Sequence, residues 1–258
     1  MAKNQKSLGQ HWLKDRTILT NIAKYATMKG STTVLEIGPG LGTLTSALFL
    51  YFDQVIAVEF DSSLAAKLPA QFPGKNLQVI HADILDFDLS ILPTKYVVAG
   101  NIPYYITSPI IQKFLHADHP PAKITLLVQK EVAQRLAAKP GKHSILGLSA
   151  QIYAHVALGP VIPRHHFLPP PQVDSQIVIL TPYEKPLATE QTIALIKLGF
   201  TAPRKKLATN LSTTLHLPRT QILTALKQIN LPELARPADL TITDWIKLQN
   251  LICPTSKP

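Results

Sequence analysis

The sequence predicts an α/β fold, a mostly parallel sheet with helical crossovers followed by a small all-helical domain. Short β-rich apolar runs recur at residues 34–37, 55–58, 77–80, 96–99 and 124–128, separated by segments long enough for helices. That is the pattern of strands buried on both faces and joined by crossovers. Further strands are expected at 156–162 and 177–180, but the link between them, PRHHFLPPPQVDS, is too rich in proline for a helix. The sheet is therefore expected to end in an antiparallel pair. After TPYEKP the apolar residues switch to helical spacing, at Ile193, Ile196 and Leu198, then Leu207 and Leu211, then Ile222, Leu223 and Leu226. Pro203 and Pro218 sit where helices would begin. The expected domains are residues 1–183 and 184–258.

At 258 residues and 46% hydrophobic, the chain can bury a real core. A formal charge of +10 favours a polyanionic partner, because Lys and Arg that neutralise phosphates gain affinity by releasing counterions; general solubility is the plainer alternative. The last 75 or so positions hold ten basic and five acidic residues, half the net charge on under a third of the chain. Cys253 is the single cysteine, so neither an intrachain disulfide nor a cysteine zinc site can be built, which suits a reducing cytoplasm. The nine histidines lack metal-site spacing, and the neighbours His165 and His166 are expected to point apart on an extended surface segment. No metal is expected. MAKNQKSLGQ lacks the apolar core of a secretory signal, and no apolar run approaches the ~20 residues of a membrane span. A soluble, cytoplasmic protein with no membrane partner follows as the expectation.

The first strand runs into VLEIGPGLGTLT, with Gly38, Gly40 and Gly42 opening a helix. Glycines there let the backbone turn sharply and let a ligand approach the helix N-terminus, although tight strand-to-helix turns also use glycine for geometry alone. Position 43 is Thr, so a GxGxxG dinucleotide fingerprint starting at Gly38 is not met. The second strand ends in VEFD, placing Glu59 to accept hydrogen bonds from two ribose hydroxyls, and the third ends in HADIL, bringing Asp83 to the same carboxyl edge. Singly, either acid is as well read as a helix cap or a solvated strand end. In series with the glycine loop they suit a cofactor with ribose, adenine and a small charged tail but no pyrophosphate. S-adenosylmethionine is such a molecule, with Glu59 on the ribose, Asp83 on the adenine amine and the backbone from Gly38 to Gly42 at the methionine end.

AGNIPYYITSP sets Asn101, Pro103, Tyr104 and Tyr105 at the end of the fourth strand, beside that cofactor. An aromatic exocyclic amine is a poor nucleophile, since its lone pair is delocalised into the ring. The Asn101 side-chain carbonyl and the Ile102 backbone carbonyl can accept its two N–H groups and favour a pyramidal nitrogen, while Tyr104 stacks on the base. No strong base is required, because the amine can lose its proton after methyl transfer.

The motifs KSLGQHWLKD, VLEIGPGLGTLT, VEFD, HADIL, NIPYYITSPII, QKEVAQRL, FLPPPQVDS and TAPRKKLATNL, in that order, resemble those of ribosomal RNA adenine N6 dimethyltransferases of the KsgA type across nearly the whole chain. The resemblance implies a Rossmann-like methyltransferase domain and a small helical RNA-binding domain. It implies dimethylation of two adjacent adenines in a hairpin loop near the 3′ end of small-subunit ribosomal RNA, by a monomer acting on the immature small subunit. Carried over by motif, the cofactor residues are His11, Leu13, Gly38, Glu59, Asp83 and Asn101, and Phe167 is a second aromatic wall for the target adenine, or else a core residue anchoring a proline-rich loop. His11 and Trp12 stand where the family usually has Asn and Phe. Arg204, Lys205 and Lys206, expected in the first turn of a helix, either grip RNA phosphates or form a solvated charged turn; in the second case the footprint moves elsewhere, as to Lys3, Lys6 and Lys14.

Three other readings compete. One is the related enzyme that methylates a single adenine of large-subunit ribosomal RNA and confers antibiotic resistance. Another is a noncatalytic RNA-binding assembly factor of the same fold, which need not keep NIPY, Glu59 and Asp83. The third, a nucleotide-dependent oxidoreductase, is opposed by Thr43 and by the basic helical tail.

Overall fold

The computed structural model describes residues 11–252. Lys3, Lys6 and Cys253 lie outside that span. In chain order the elements are β1 (Trp12–Leu13), α1 (Arg16–Ala26), β2 (Thr33–Ile37), α2 (Thr43–Leu48), β3 (Gln54–Glu59), α3 (Ser62–Lys67), β4 (Leu77–His81), β5 (Tyr96–Asn101), α4 (Thr107–Leu115), β6 (Lys123–Gln129), α5 (Lys130–Leu136), α6 (Ile145–Tyr153), β7 (Ala154–Ile162), β8 (Phe167–Leu168), β9 (Ser175–Pro182), α7 (Glu190–Gly199), α8 (Leu207–Leu215), α9 (Arg219–Gln228) and α10 (Ile242–Ile252).

Seven strands form one sheet in the order β4-β3-β2-β5-β6-β9-β7. The first five are parallel and β9 runs antiparallel to both β6 and β7, the expected closing pair. Strand order reverses between β2 and β5, the switch point at which parallel sheets open a crevice beyond their carboxyl ends. Register keeps those ends level: Ile37 lies beside Val58 on one side and Gly100 on the other. Caps fix where the flanking helices start. Asp15 accepts from the backbone N–H groups of Thr17 and Ile18, and Asp61 from those of Ser63 and Leu64. Each such cap stabilises its helix by about 0.5–2 kcal/mol. Leu19, Ile22 and Ala26 of α1 pack with Val34, Val55, Val97 and Leu127 of the sheet, all buried.

The chain divides into two compact units, the sheet unit of residues 1–134 and 154–182 and a helical unit of 135–153 and 183–258. The sequence-based boundary keeps 135–153 in the first domain, whereas that segment packs with the helices. Its Leu148 and Ile152 join a core of Ile193, Leu211, Leu226 and Leu248 around Trp245, which is fully buried. The helical unit also contains α10, which the sequence reading did not anticipate. Pro218 does immediately precede α9, but Pro203 does not begin a helix: residues 201–205 form turns and Lys206 is the N-cap of α8. Arg204, Lys205 and Lys206 therefore lie before the helix and not in its first turn, and all three are exposed. His165 and His166 also differ from expectation. They share a 3-10 turn, Arg164–His166, that brings their ring centroids to 4.4 Å, with His166 Nδ1 3.3 Å from the Asp15 carboxylate. Among the described residues no helix is long and apolar enough to cross a membrane.

Candidate active site

Beyond the carboxyl ends of β2 to β5 lies a cavity of about 340 Å³, within the range usual for small-molecule sites. Its walls include His11, Leu13, Gly38, Gly40, Glu59, Asp83, Asn101, Ile102 and Tyr104, each named from sequence. Gly38 and Gly40 have φ of +62° and +56°, a region costly to any residue with a Cβ. At Gly40 the space matters as well, because an added Cβ would lie 2.1 Å from the Trp12 ring. The tryptophan ring thus packs against the loop at Gly40, and β1, which carries it, is held by pairing with β8, Trp12 opposite Leu168 and Leu13 opposite Phe167.

Glu59 ends β3 and is 6% exposed. One carboxyl oxygen accepts the Gly40 N–H and the other the Asp61 N–H, both at 2.9 Å. Burial pushes this acid above its ordinary value, and the two N–H bonds oppose the rise. The same bonds tie the glycine loop to the acid, so loop and carboxylate form one rigid wall. Asp83, half-buried, accepts the Leu85 N–H through Oδ1 at 2.8 Å, leaving Oδ2 for another donor.

Asn101 closes β5. Its side-chain Nδ2 donates to the His11 backbone carbonyl at 3.0 Å, so the amide is oriented and Oδ1 is the atom left to accept. His11 is in turn held by a 2.8 Å bond between Nδ1 and the Pro169 carbonyl. Since a carbonyl only accepts, Nδ1 carries the proton. The ring stacks near-parallel to that of Tyr104, at 22° with centroids 6.1 Å apart. The Tyr104 hydroxyl lies 2.7 Å from Ser175 Oγ at the start of β9. Tyr104 is thus fixed at its hydroxyl end as well as through its backbone. Tyr105 beside it lines the same cavity with 68% of its surface exposed.

Phe167 is placed otherwise than a wall for a target base requires. It is 3% exposed, packs in the core of the sheet unit and is not part of the cavity lining. It pairs with Leu13 and shares that core, the position of the anchoring alternative. Arg204, Lys205 and Lys206 belong to the helical unit. Sequence reasoning missed Glu36, in the middle of β2. It lines the cavity, is 1% exposed, and has one oxygen bonded to Thr45 Oγ1 at 2.6 Å while the other, buried, has no partner. The available signal was an acid inside the otherwise apolar run VLEIG.

The model of the family described as ribosomal RNA adenine dimethylase matches residues 1–252. The chain is 38% identical to the ribosomal RNA small subunit methyltransferase A of Acaryochloris marina, over 99% of both chains. It is 37% identical to the protein of the same name from Dehalococcoides mccartyi strain CBDB1, over 95% of this chain and 87% of that one. Among solved structures it is similar to a dimethyladenosine transferase from Plasmodium falciparum, with a TM-score of 0.77 and 28% identity over 92% of this chain and 96% of the other. It is also similar to the 23S rRNA methyltransferase ErmE, with a TM-score of 0.76 and 28% identity over 93% and 99%.

Proposed function

The chain belongs to the ribosomal RNA adenine dimethylase family, and from that premise we propose that it transfers methyl groups from S-adenosylmethionine to the N6 amino groups of adenines in small-subunit ribosomal RNA. The finer reading is that the targets are two adjacent adenines in the 3′-terminal hairpin loop, each dimethylated by a single copy of the chain on the immature subunit in the cytoplasm.

The observation that carries this reading is the oriented amide of Asn101 at the cavity wall. Oδ1 of Asn101 and the carbonyl of Ile102 accept the two N–H groups of the target amine, and Tyr104 stacks on its ring. Positioning of that nitrogen is what the protein contributes to the chemistry; the proton leaves after the amine has become cationic.

The cavity suits the cofactor. Two acids, Glu59 and Asp83, stand at neighbouring strand ends for ribose hydroxyls and an adenine amine, a loop whose Gly38 and Gly40 carry no Cβ lies beside them, and a buried Glu36 oxygen lacks a partner. His11, Leu13, Gly38 and Gly40 complete the binding set at the methionine end. When bound, S-adenosylmethionine supplies a methyl group on a positively charged sulfur. Arg204, Lys205 and Lys206, exposed on the helical unit, contact RNA phosphates.

The test is primer extension on small subunits lacking these methyl groups, before and after incubation with the protein and cofactor. Two adjacent new stops near the 3′ end of the RNA are expected. Methylation confined to large-subunit RNA would instead favour the second reading, which the similarity to ErmE supports; the higher identity of the small-subunit relatives weighs against it.

A further inference from the structure

Glu36 is buried next to the proposed cofactor site without a charge to balance it. Its register neighbours are Ala57 on β3 and Ala99 on β5, which bring no titratable group. From α2, Thr45 Oγ1 donates to one carboxyl oxygen, and the other is buried without a partner. The remaining titratable groups on the cavity wall are Glu59, Asp83, His11, Tyr104 and Tyr105; the lining contains no lysine or arginine. Among the described residues the single ion pair joins His166 to Asp15 and leaves both buried glutamates unpaired. An ionised Glu36 would therefore be a desolvated charge, half-satisfied, beside a second acid of the same sign, which is an expensive arrangement.

We propose that Glu36 is a neutral carboxylic acid in the ligand-free protein and ionises as the cationic end of the cofactor enters, so that each cofactor bound releases one proton from Glu36. The inference rests on the cofactor assignment above. The O–H bond of the carboxyl breaks, its electron pair stays on the oxygen, the proton passes to buffer, and the cofactor itself is unchanged by binding. In place of the proton, a fixed positive charge of the cofactor faces the new carboxylate. The electrostatics agree in direction: burial pushes the Glu36 acid up to about 8, and Glu59 adds to the rise against the Thr45 hydrogen bond. An acid with that value is roughly nine-tenths protonated at pH 7.

One consequence concerns selectivity. Because ionisation of Glu36 requires a compensating cation, a neutral nucleoside that fills the ribose and adenine positions leaves the carboxyl protonated. The site thereby favours a charged cofactor over the uncharged adenosine derivatives that share its ring and sugar.

The experiment is calorimetric titration of the full chain with S-adenosylmethionine at pH 7 in phosphate and in Tris, buffers whose ionisation enthalpies differ widely. The observed heats should differ by an amount corresponding to nearly one proton released, and affinity should rise by up to tenfold per pH unit between about pH 6 and 8. In Glu36→Gln the buffer dependence should disappear. Clear binding with the same heat in both buffers would overturn the inference while leaving the cofactor assignment intact, whereas absence of any binding would remove both. Undiminished proton release from Glu36→Gln would assign the proton to another acid and overturn it equally. An infrared difference spectrum of the wild-type protein gives a check that needs no variant: cofactor addition should remove one carboxylic-acid carbonyl band, and a band that persists refutes the proposal.

Discussion

The side-chain nitrogen of Asn101 is bound to the backbone carbonyl of His11, 3.0 Å away and ninety residues earlier in the chain. That bond decides which end of the amide serves as acceptor. Asn101→Ala removes the acceptor, and Asn101→Asp sets a carboxylate oxygen against the His11 carbonyl, a repulsive pair. Both variants should lose methyl transfer by about a hundredfold or more, the range for deleting one positioned polar group in an active site. RNA affinity should hold, since phosphate contacts carry it. Incorporation of labelled methyl groups beside an RNA-binding assay measures the two effects separately, and an active Asn101→Asp would contradict the oriented-amide account.

Tyr104 gives a second prediction, altered by what its hydroxyl touches. A ring that worked by stacking alone would tolerate Tyr104→Phe, but the hydroxyl is bonded to the fully buried Ser175. Removing it leaves the buried Ser175 Oγ without that partner and frees the ring to tilt, at a cost of about 1–3 kcal/mol. Tyr104→Phe and Ser175→Ala should each lower activity a few-fold, the double variant no further than either, and Tyr104→Ala far more. Strictly additive losses in that cycle would mean the hydrogen bond does not position the ring.

These two residues illustrate what was legible in the sequence. The inner strands β2, β3, β5, β6 and β9 were readable because a strand buried on both faces is a continuous apolar run, and the glycine loop, Glu59 and Asn101 because each stands at the end of such a run; the half-exposed edge strands β4 and β7 showed only as shorter apolar stretches. The bonds from Asn101 to His11 and from Tyr104 to Ser175 join positions far apart in the chain, and no local pattern encodes them. Glu36 was hidden by its own strand, where one acid among apolar residues does not break the run. Helix α10 did carry a local signal: Thr241 and Asp244 cap it reciprocally, the Asp accepting the Thr241 N–H at 2.9 Å and the Thr hydroxyl accepting the Asp244 N–H at 3.0 Å. Helix α6 carried a signal at its start alone, Ser144 accepting the Gly147 N–H at 3.1 Å, because its other end runs straight into β7 without a turn residue between them.

A third prediction follows from the seat of Trp12. Gly40→Ala forces a Cβ into a left-handed backbone position, costing about 1–2 kcal/mol, and into the space the indole occupies. It should lower thermal stability, weaken cofactor binding and red-shift the tryptophan emission as Trp12 is expelled; Trp245, fully buried in the helical unit, should contribute no change. Trp12→Phe, which restores the ring usual in the family, should keep cofactor affinity near that of the parent protein. An unshifted emission spectrum in Gly40→Ala would show that the indole is not packed on the loop.

The buried acid also predicts how stability depends on pH. Glu36 rises from the ordinary 4.5 to about 8 on folding. Below 4.5 both folded and unfolded chains are protonated there. Between 4.5 and 8 the unfolded chain has lost a proton that the folded chain keeps, so the ligand-free protein should lose stability as pH increases, by up to ~1.4 kcal/mol per unit, and level off above 8. Glu59 is shifted in the same direction and adds to the slope. Urea unfolding across that range checks it, and Glu36→Gln should flatten the curve. A stability that rises steadily from pH 5 to 8 and is untouched by Glu36→Gln would show that the carboxyl is not held neutral.

Arg204, Lys205 and Lys206 supply the last prediction. They lie in the exposed turn that leads into α8, and Lys206, at the N-cap, offers no side-chain acceptor to the first N–H groups of the helix. A cation at that end opposes the helix dipole, and Ser, Thr, Asp or Asn would each cap better, so the stability of α8 does not account for the cluster. Nor do neighbouring acids, since among the described residues none forms an ion pair with these three side chains. Three exposed, uncompensated cations in one turn are well placed for a polyanion. Replacing all three by Ala should weaken binding to the small subunit and reduce the slope of log affinity against log salt by at most ~2 to 3, the share of three phosphate contacts. Cofactor affinity should not change, because every cavity-lining residue belongs to the sheet unit. The N-cap argument adds a control: Lys206→Asp alone should raise the melting temperature slightly while weakening RNA binding. A salt slope unaltered in the triple variant would leave the cluster as surface charge and direct the search to Lys14, the described member of the alternative footprint.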